Sequence, residues 1–293
     1  MSSILSTFLL ILINGCIMGS IYALMAMGLS TQYGVARILN IAHGEFIVFA
    51  GFITFIMQTR TSIHPLLCLL ITCPIVFVVS FILHITVYRR VKRISPNLGA
   101  FEGNAILVAF GIYFITQNLI QSNFGSAPAA YPFMSYPVNI GGVAITAKGL
   151  FVMAVSVVIC VLYNVFLSQT RLGKAIRAAA QNSQAASMFA VNVNVIMATC
   201  FAIGGILAAC AGVLYSMQDA FSAVHGMQFT TIAIIVVVFG GLGSVKGAIF
   251  GGFIMGVVGY AIAHFVDSVF MISALYIIIL ILLIVRPKGL LGR

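Results

Sequence analysis

The chain has 293 residues, of which 62% are hydrophobic and only 6% are charged, and its mean hydropathy is +1.20. Soluble domains carry about a quarter charged residues, so this composition excludes a soluble globular fold. A helix that crosses about 30 Å of hydrocarbon needs roughly 20 apolar residues, and uncharged stretches of that length occupy nearly the whole chain. The sequence therefore predicts an all-α, polytopic membrane protein with a single transmembrane domain over residues 1–293.

The net charge of +10 is concentrated between the hydrophobic runs. Ten of the fourteen Lys and Arg residues form three basic clusters, namely Arg89, Arg90, Lys92 and Arg93; Arg171, Lys174 and Arg177; and Arg286, Lys288 and Arg293. Short loops rich in Lys and Arg stay in the cytoplasm. The clusters therefore predict the cytoplasmic ends of spans in a lipid bilayer, and they argue against a nucleic-acid partner.

The first third of the chain leaves the number of spans open. Residues 4–28 form an apolar run that is longer than the core of a signal peptide, so they predict a first span. Residues 46–59 are uncharged but too short for an ordinary span. Either the segment from residue 37 onward crosses with polar residues embedded in it, which puts the N-terminus outside, or it is a broken or re-entrant element that lines a cavity, which puts the N-terminus inside.

The rest of the chain predicts a regular series of spans. They are expected near residues 103–124, 149–168, 195–217, 228–245, 247–266 and 268–285. Two spans separate the first basic cluster from the second, and four separate the second from the third, so each cluster returns to the same side. The loop of residues 125–148 is rich in Pro and Gly and is expected outside. The prediction is about eight to nine transmembrane helices with one or two broken or re-entrant segments.

Small residues recur four apart in several predicted helices, where they let two backbones approach closely. The pairs are Gly15 and Gly19, Ala208 and Gly212, Gly247 and Gly251, and Gly252 and Gly256. They predict packing faces within the chain, or alternatively contact with a partner subunit. The six cysteines lie in apolar segments without metal-ligand spacing and are interpreted as small packing residues. No metal or cofactor is expected.

The four acidic residues are far apart in the sequence, so paired-carboxylate catalysis is not expected and the chain is predicted not to be an enzyme. Glu45 is notable because it lies near His43 and Arg37 in a segment of membrane character. Ionisable groups inside a membrane are costly and usually serve a pathway or pair internally. Asn40, His43 and Glu45 are therefore candidate gate or pathway residues. The alternative is that this stretch lies in the cytoplasmic interface.

Two other sets of residues bear on function. The stretch Phe239-Gly-Gly-Leu-Gly-Ser-Val-Lys-Gly lacks the Gly-Lys-Ser/Thr of a phosphate loop, so it predicts a tight turn between two spans, and the chain cannot itself hydrolyse ATP. Asp219 with His225, and Asp267 with His264, flank two loops expected outside. They are either solvated loop charges or a docking site for an external partner.

The segment that begins at Arg171 is basic, helix-prone and too polar to cross a membrane. It predicts a short amphipathic helix at the cytoplasmic surface, with Ile176, Ala180, Met188 and Phe189 available for apolar contact. Such a helix either rests in the lipid headgroups or docks on a cytoplasmic motor protein. The residue pattern alone leaves both alternatives open.

Four ordered blocks resemble one known family. They are Gly28-Leu-Ser-Thr-Gln-Tyr-Gly-Val-Ala-Arg-Ile-Leu-Asn-Ile-Ala-His-Gly-Glu-Phe, the loop starting at Arg171, Val238-Phe-Gly-Gly-Leu-Gly-Ser-Val-Lys-Gly-Ala, and Val285-Arg-Pro-Lys-Gly-Leu-Leu-Gly. Over nearly its whole length the chain resembles the permease subunits of branched-chain amino acid ABC importers, of the shorter, LivH-like type. It departs from the family at Asn182-Ser183-Gln184, where members often have Asp-Pro-Glu.

The resemblance implies a permease subunit in a bacterial inner membrane. The expected partners are a second, LivM-like permease subunit, cytoplasmic ABC ATPase subunits and an external, periplasmic solute-binding protein. The expected substrates are branched-chain amino acids or related small polar solutes such as amides and urea. The candidate ATPase-coupling loop comprises Arg171, Gly173, Lys174, Arg177, Ala180, Gln181, Ala185 and Ala186. A passive channel or facilitator for small polar solutes is the alternative function.

Overall fold

The computed structural model describes residues 2–188, 192–287 and 289–291. Within these ranges the chain is almost entirely helical, with one short β-hairpin. The helices are α1 (Ser2–Ala36), α2 (His43–Thr61), α3 (Leu69–Leu83), α4 (Arg89–Ile94), α5 (Leu98–Phe124), α6 (Ala147–Gln169), α7 (Arg171–Gln181), α8 (Ser183–Met188), α9 (Val193–Gln218), α10 (Gly226–Gly240), α11 (Val245–Phe265) and α12 (Met271–Val285). The hairpin strands are β1 (Pro137–Ile140) and β2 (Val143–Thr146), paired antiparallel with Pro137 opposite Thr146.

In the described part of the chain, eight helical segments are long and apolar enough to cross a membrane. One of them is composite: a 3-10 turn (Pro65–Cys68), α3, a π-helical segment (His84–Tyr88) and α4 form one continuous rod. The other seven contain α1, α5, α6, α9, α10, α11 and α12. This agrees with the predicted all-α polytopic fold.

The core of the bundle is built around α1, α9 and α10. Residues from Ile21 to Leu29 of α1 are almost fully buried, as expected for a helix that is apolar on every side. In α9 and α10 most of the span is inside the protein, whereas α12 and α3 expose large aliphatic side chains. The composite rod and the segment that contains α12 have the highest mean hydropathy, 2.9 and 3.0, as expected of helices that lipid chains cover in the membrane.

The glycine pairs pack against other helices of the same chain. These contacts exclude the alternative that the pairs form a contact surface for a partner subunit. A Cβ on Gly19 would lie 2.8 Å from the Phe253 Cα, and one on Gly15 would lie 2.5 Å from the Val257 Cα, so α1 and α11 are in backbone contact. Gly212 of α9 packs equally tightly on Ile47 of α2. Side chains at these positions would push the helices apart.

The same contacts fix the direction of α1. Gly34, near its C-terminal end, lies against Gly243 in the turn between α10 and α11, whereas Gly15 lies against the later half of α11. One cavity is lined by Arg37, by Lys92 of the first basic cluster and by residues 179–184, which follow the second cluster. Two basic clusters therefore lie at this end of the bundle, called the inner end here. Short basic loops face the cytoplasm. The start of α1 therefore lies outside, at the outer end.

The turn between α10 and α11 is the tight turn that the Gly-rich stretch predicts. Gly241 and Gly243 have positive φ angles of 104° and 80°, which are easily adopted only by glycine. The Ser244 hydroxyl accepts a hydrogen bond from the Gly247 N–H at 3.1 Å and caps α11. Carbonyl groups at the end of α10 accept hydrogen bonds from the chain's C-terminal residues, Leu290 N–H to Phe239 O at 2.9 Å among them.

Candidate functional site

A break in the helical structure, residues 37–42, separates α1 from α2. It begins at the inner end with Arg37, whose backbone is left-handed (φ 55°), an uncommon conformation for a residue other than glycine. The Arg37 N–H still donates to the Tyr33 carbonyl at 3.0 Å. The chain then leaves the helix and runs back into the bundle until His43 begins α2.

The break and α2 together connect the two ends of the bundle. His43 contacts Met25, which lies about 16 Å along α1 from Ala36 at a rise of 1.5 Å per residue. At the far end of α2, the ring of His64 packs at 5.4 Å on Phe133 in the outer loop. Residues 37–61 therefore cross the bundle as a broken element with embedded polar residues, and with the eight segments above they give nine crossings in the described chain. The segment crosses with embedded polar residues, as the first predicted alternative has it, and it is broken, as the second has it.

His43 is completely buried. Its Nε2 lies 3.0 Å from the Met25 carbonyl oxygen, and because a carbonyl only accepts, Nε2 carries the proton. Its Nδ1 is then an acceptor, and it has no hydrogen-bond partner among the described residues. A Cβ on Gly28 would lie 2.9 Å from the ring carbon Cε1, so the absence of a side chain there makes room for the imidazole.

The start of α2 is in backbone contact with the start of α10. The Gly44 N–H donates to the Thr230 hydroxyl at 2.8 Å, and that hydroxyl donates to the Ile41 carbonyl at 2.8 Å. A Cβ on Gly44 would overlap the Gly226 carbonyl oxygen. Thr230 thus satisfies the Ile41 carbonyl of the break and the Gly44 N–H in the first turn of α2, where no helical ladder is available to do so.

Glu45 projects into this contact and has no partner there. Its side chain is 0% exposed, and neither carboxyl oxygen has a hydrogen-bond partner among the described residues. The carboxyl group lies so close to Gly226 that a Cβ on this glycine would overlap Oε1. An unpartnered buried carboxylate costs several kcal/mol. The site therefore favours any hydrogen-bond donor or cationic group that reaches it.

Asn40 connects the break to the composite rod. It is buried, and its Oδ1 accepts from the Ala42 N–H at 3.2 Å and from the Tyr88 hydroxyl at 3.4 Å, while its Nδ2 has no partner in the described chain. Tyr88 ends the π-helical segment, and its ring lies 5.0 Å from that of Phe201. Single π-helical turns occur frequently at functional sites.

The structure thus brings the three predicted residues Asn40, His43 and Glu45 into the protein interior. The alternative prediction, that this stretch lies in the cytoplasmic interface, is wrong, because α1, α9 and α10 enclose it. Sequence reasoning missed Tyr88, Thr230 and Gly226. A hydroxyl within an apolar span is a weak signal for the first two, and no local pattern marks Gly226.

The predicted coupling loop forms two short helices, α7 and α8, at the inner end. The Thr170 hydroxyl accepts from the Gly173 N–H at 3.0 Å and caps α7, as is typical of Thr at this position. Gly173 packs directly on the backbone of Leu167. Gly173, Ile176 and Ala179 are buried at intervals of three residues, which makes α7 the predicted amphipathic helix.

The exposed face of this loop carries most of the other predicted residues. Arg171, Lys174, Arg177, Ala180 and Gln181 are exposed, Ala185 is half-buried and Ala186 is buried. The Arg177 guanidinium donates to the Ser168 carbonyl at 3.1 Å, which ties it to the end of α6.

Two of the residues predicted to be available for apolar contact do not pack on the bundle itself. Ala180 is exposed, because the buried stripe of α7 runs through Ala179 instead. Met188 is 85% exposed. Phe189 lies outside the described residues.

A lysine and an aspartate lie near each other at the outer end. The Lys148 ammonium donates to the Gln218 carbonyl and lies near Asp219. Burial raises the pKa of the Asp219 carboxyl, and the Lys148 charge opposes that shift. His225 is tied to Ser222, whose N–H donates to Nδ1 at 2.9 Å.

The comparisons with known proteins agree with these features. Residues 11–285 match the family model described as the permease component of branched-chain amino acid transport systems. The chain is 31% identical to the high-affinity branched-chain amino acid transport system permease protein BraD of Pseudomonas aeruginosa, over 96% of this chain and 95% of BraD. It is 27% identical to the permease protein LivH of Salmonella typhimurium and 26% identical to LivH of Escherichia coli K12, over 98% of this chain and 96% of each relative.

No solved structure matches the chain significantly. The relatives are transport permeases, in agreement with the prediction of a transport subunit of the inner membrane that is not an enzyme. The family model covers nearly the whole chain, and the crossing helices and the broken element belong to this matched region. The chain therefore belongs to the permease component family of branched-chain amino acid transport systems.

Proposed function

We propose that this chain forms one half of the translocation path of an ATP-driven importer, and that the break with the start of α2 is its gate. In this proposal the whole chain, residues 1–293, acts as one transmembrane permease domain. The observation that carries it is the carboxyl group of Glu45, fully buried without a partner where a crossing element is interrupted. Ionisable groups in such positions usually serve a transport pathway.

The proposed substrates are branched-chain amino acids, the class named for the relatives. An amino acid carries an ammonium group, which can pair with a carboxylate. The unpartnered oxygens of Glu45 would accept hydrogen bonds from its N–H groups. Related small polar solutes, including amides and urea, form a second group, but they lack a cationic group. Preference for amino acids over urea is therefore expected if Glu45 contacts the solute.

The proposed partners are a second permease subunit, cytoplasmic ABC ATPase subunits and an external solute-binding protein. The Gly-rich turn holds Val245-Lys246-Gly247 where a phosphate loop would hold Gly-Lys-Ser/Thr, so ATP must be hydrolysed by another chain. The exposed basic face of α7 at the inner end supports ATPase contact there, because α7 is an amphipathic helix whose other face packs on the bundle.

The test is to purify the tagged chain in mild detergent from its native membranes and to identify the accompanying proteins by mass spectrometry. We expect a second, distinct permease and an ATPase with a phosphate loop in stable proportion. Recovery of the chain alone, with solute flux in vesicles that lack ATP, would contradict the proposal and identify a passive channel.

A further inference from the structure

A cavity of about 310 Å³ opens at the inner end of the bundle, between the break and the coupling loop. The end of α1, α4, the start of α5, the start of α9 and the α7–α8 loop form its walls. Arg37 and Lys92 contribute two positive charges, and Asn182, Ser183 and Gln184 contribute polar groups. None of the described residues that line it is acidic.

Among the described residues, the partners of the two cationic groups are weak ones. The Lys92 ammonium lies 3.3 Å from the Met197 sulfur and 6.0 Å from the centre of the Phe101 ring. The Arg37 guanidinium carbon lies 5.6 Å from the centre of the Tyr33 ring. A thioether is a weak acceptor, and an exposed cation–π contact contributes little. Both groups therefore remain available to an anion in the cavity.

We propose that this cavity binds the phosphate group of an anionic phospholipid from the cytoplasmic leaflet. The inner end lies at headgroup level because the basic clusters lie there. Basic pockets between transmembrane helices on the cytoplasmic side are suited to anionic headgroups. A phosphate presents several acceptor oxygens, so it can bridge a guanidinium and an ammonium that line the same space.

The surroundings of the cavity favour a lipid over a free anion. Leu98 and Phe101 belong to its lining, and the neighbouring Ile94 and Leu98 are 73% and 55% exposed. The exposed side chains of Ile94 and Leu98 offer an apolar surface to acyl chains just beside the two charges, whereas Phe101 is buried. Arg37 is also the first residue of the break, so a bound phosphate would fix the point from which the break enters the bundle.

The experiment uses the full chain in lipid nanodiscs of phosphatidylcholine, to which phosphatidylglycerol is added in steps while the unfolding temperature is followed. The double variant Arg37→Gln, Lys92→Gln is compared with the wild type. The matched control is Arg89→Gln, Arg90→Gln, which removes the same charge from side chains that do not line the cavity. Arg37→Lys, which keeps the charge, is a second variant that tests for a folding defect.

We expect phosphatidylglycerol to raise the unfolding temperature of the wild type, the control and Arg37→Lys with similar midpoints. The midpoint of the double variant should be weakened roughly tenfold or more, since it alone loses the two charged groups that line the cavity and hydrogen-bond the phosphate. Equal midpoints for the double variant and the control would overturn the proposal.

Inorganic phosphate distinguishes the two sources of the ligand. If the lipid is the ligand, millimolar phosphate neither reproduces the stabilisation nor shifts the lipid midpoint. If phosphate alone reproduces it and displaces the lipid, the site binds the free anion and the lipid assignment is wrong. If stabilisation through Arg37 and Lys92 requires an ATPase subunit instead, an acidic protein group fills the cavity and the proposal is overturned.

Discussion

Glu45 is the residue whose environment most needs a functional explanation. A carboxyl group without a partner in a protein interior is destabilising by several kcal/mol, and nothing in the packing of α2 requires an acid at this position, since Gly44 and Thr230 already tie α2 to α10. The side chain is therefore expected to matter when solute or solvent enters the gate, more than for the stability of the closed bundle.

Replacing Glu45 with Gln tests this expectation. Gln keeps the shape but removes the negative charge, so uptake should fall roughly tenfold to a hundredfold, as expected for the loss of an interaction with a charged group. Assembly should be unchanged, because no structural hydrogen bond is removed. Uptake of labelled leucine in vesicles measures the effect, with Glu102→Gln on α5 as the control. Normal uptake by the Glu45 variant would exclude a role in the gate.

Gly226 is the residue that allows α2 and α10 to meet at Glu45. Gly226→Ala should lower the free energy of unfolding by about 1–3 kcal/mol, as overpacking usually does, because the new Cβ would overlap the Glu45 carboxyl. Gly111→Ala on α5 is the matched control, since a Cβ there meets no atom within 4 Å and Ala favours a helix. Chemical unfolding in detergent compares the two. Equal stability of the two variants would show that the contact between α2 and α10 at Gly226 leaves room for a methyl group.

Among the elements, the α7–α8 loop presents an exposed basic surface at the inner end to which a motor protein could bind. Its buried stripe fixes it to α6 and α9, so force on its exposed face would be transmitted to the bundle. The cavity between this loop and Arg37 places the loop beside the start of the break. A displacement of α7 would therefore be transmitted directly to the break, which is part of the proposed gate.

Charge reversal at Arg171 and Arg177 should uncouple ATP hydrolysis from uptake, with hydrolysis retained and uptake reduced roughly tenfold, because like charges would replace complementary ones at the contact. Lys174→Glu should act in the same direction without disturbing the hydrogen bond from Arg177 to Ser168. Reversal at Arg89 and Arg93 is the control. Hydrolysis and uptake are measured on the same reconstituted complex, and unchanged coupling would exclude α7 as the contact.

The regular spans could be predicted from the sequence, because the absence of charge over about 20 residues is a local property. Predicted spans such as 149–168 and 268–285 lie within α6 and the final crossing segment to within a few residues. The break could be located by Arg37, His43 and Glu45, but its course could not. That course depends on contacts with Met25 and Thr230, which are distant in the sequence.

The same reason explains what was missed around the candidate site. Tyr88, which donates to Asn40, is the last residue of the π-helical segment that interrupts the composite rod, and no pattern of apolar residues predicts that interruption. The partner of a small-residue face is likewise a tertiary property. Gly15 and Gly19 have the spacing of an interface, and only the packed bundle shows that α11 occupies it.

At the scale of the whole molecule, the nine crossings put the two ends of the chain on opposite sides of the membrane. In a cysteine-free background, Leu5→Cys should react with a membrane-impermeant maleimide in intact spheroplasts, because the start of α1 lies at the outer end. Ser183→Cys in the coupling loop should react only after permeabilisation. Reaction of both cysteines only after permeabilisation would mean that the broken element does not cross.

The central claim is that this chain transports solute only as part of an ATP-driven complex. The most direct measurement is uptake of labelled leucine into vesicles that contain the purified complex, with the binding protein outside and either ATP or a non-hydrolysable analogue inside at the ATPase face. We expect uptake with ATP, none with the analogue, and none for the chain alone. Equal uptake with ATP, with the analogue and without the ATPase would contradict it and identify a passive channel.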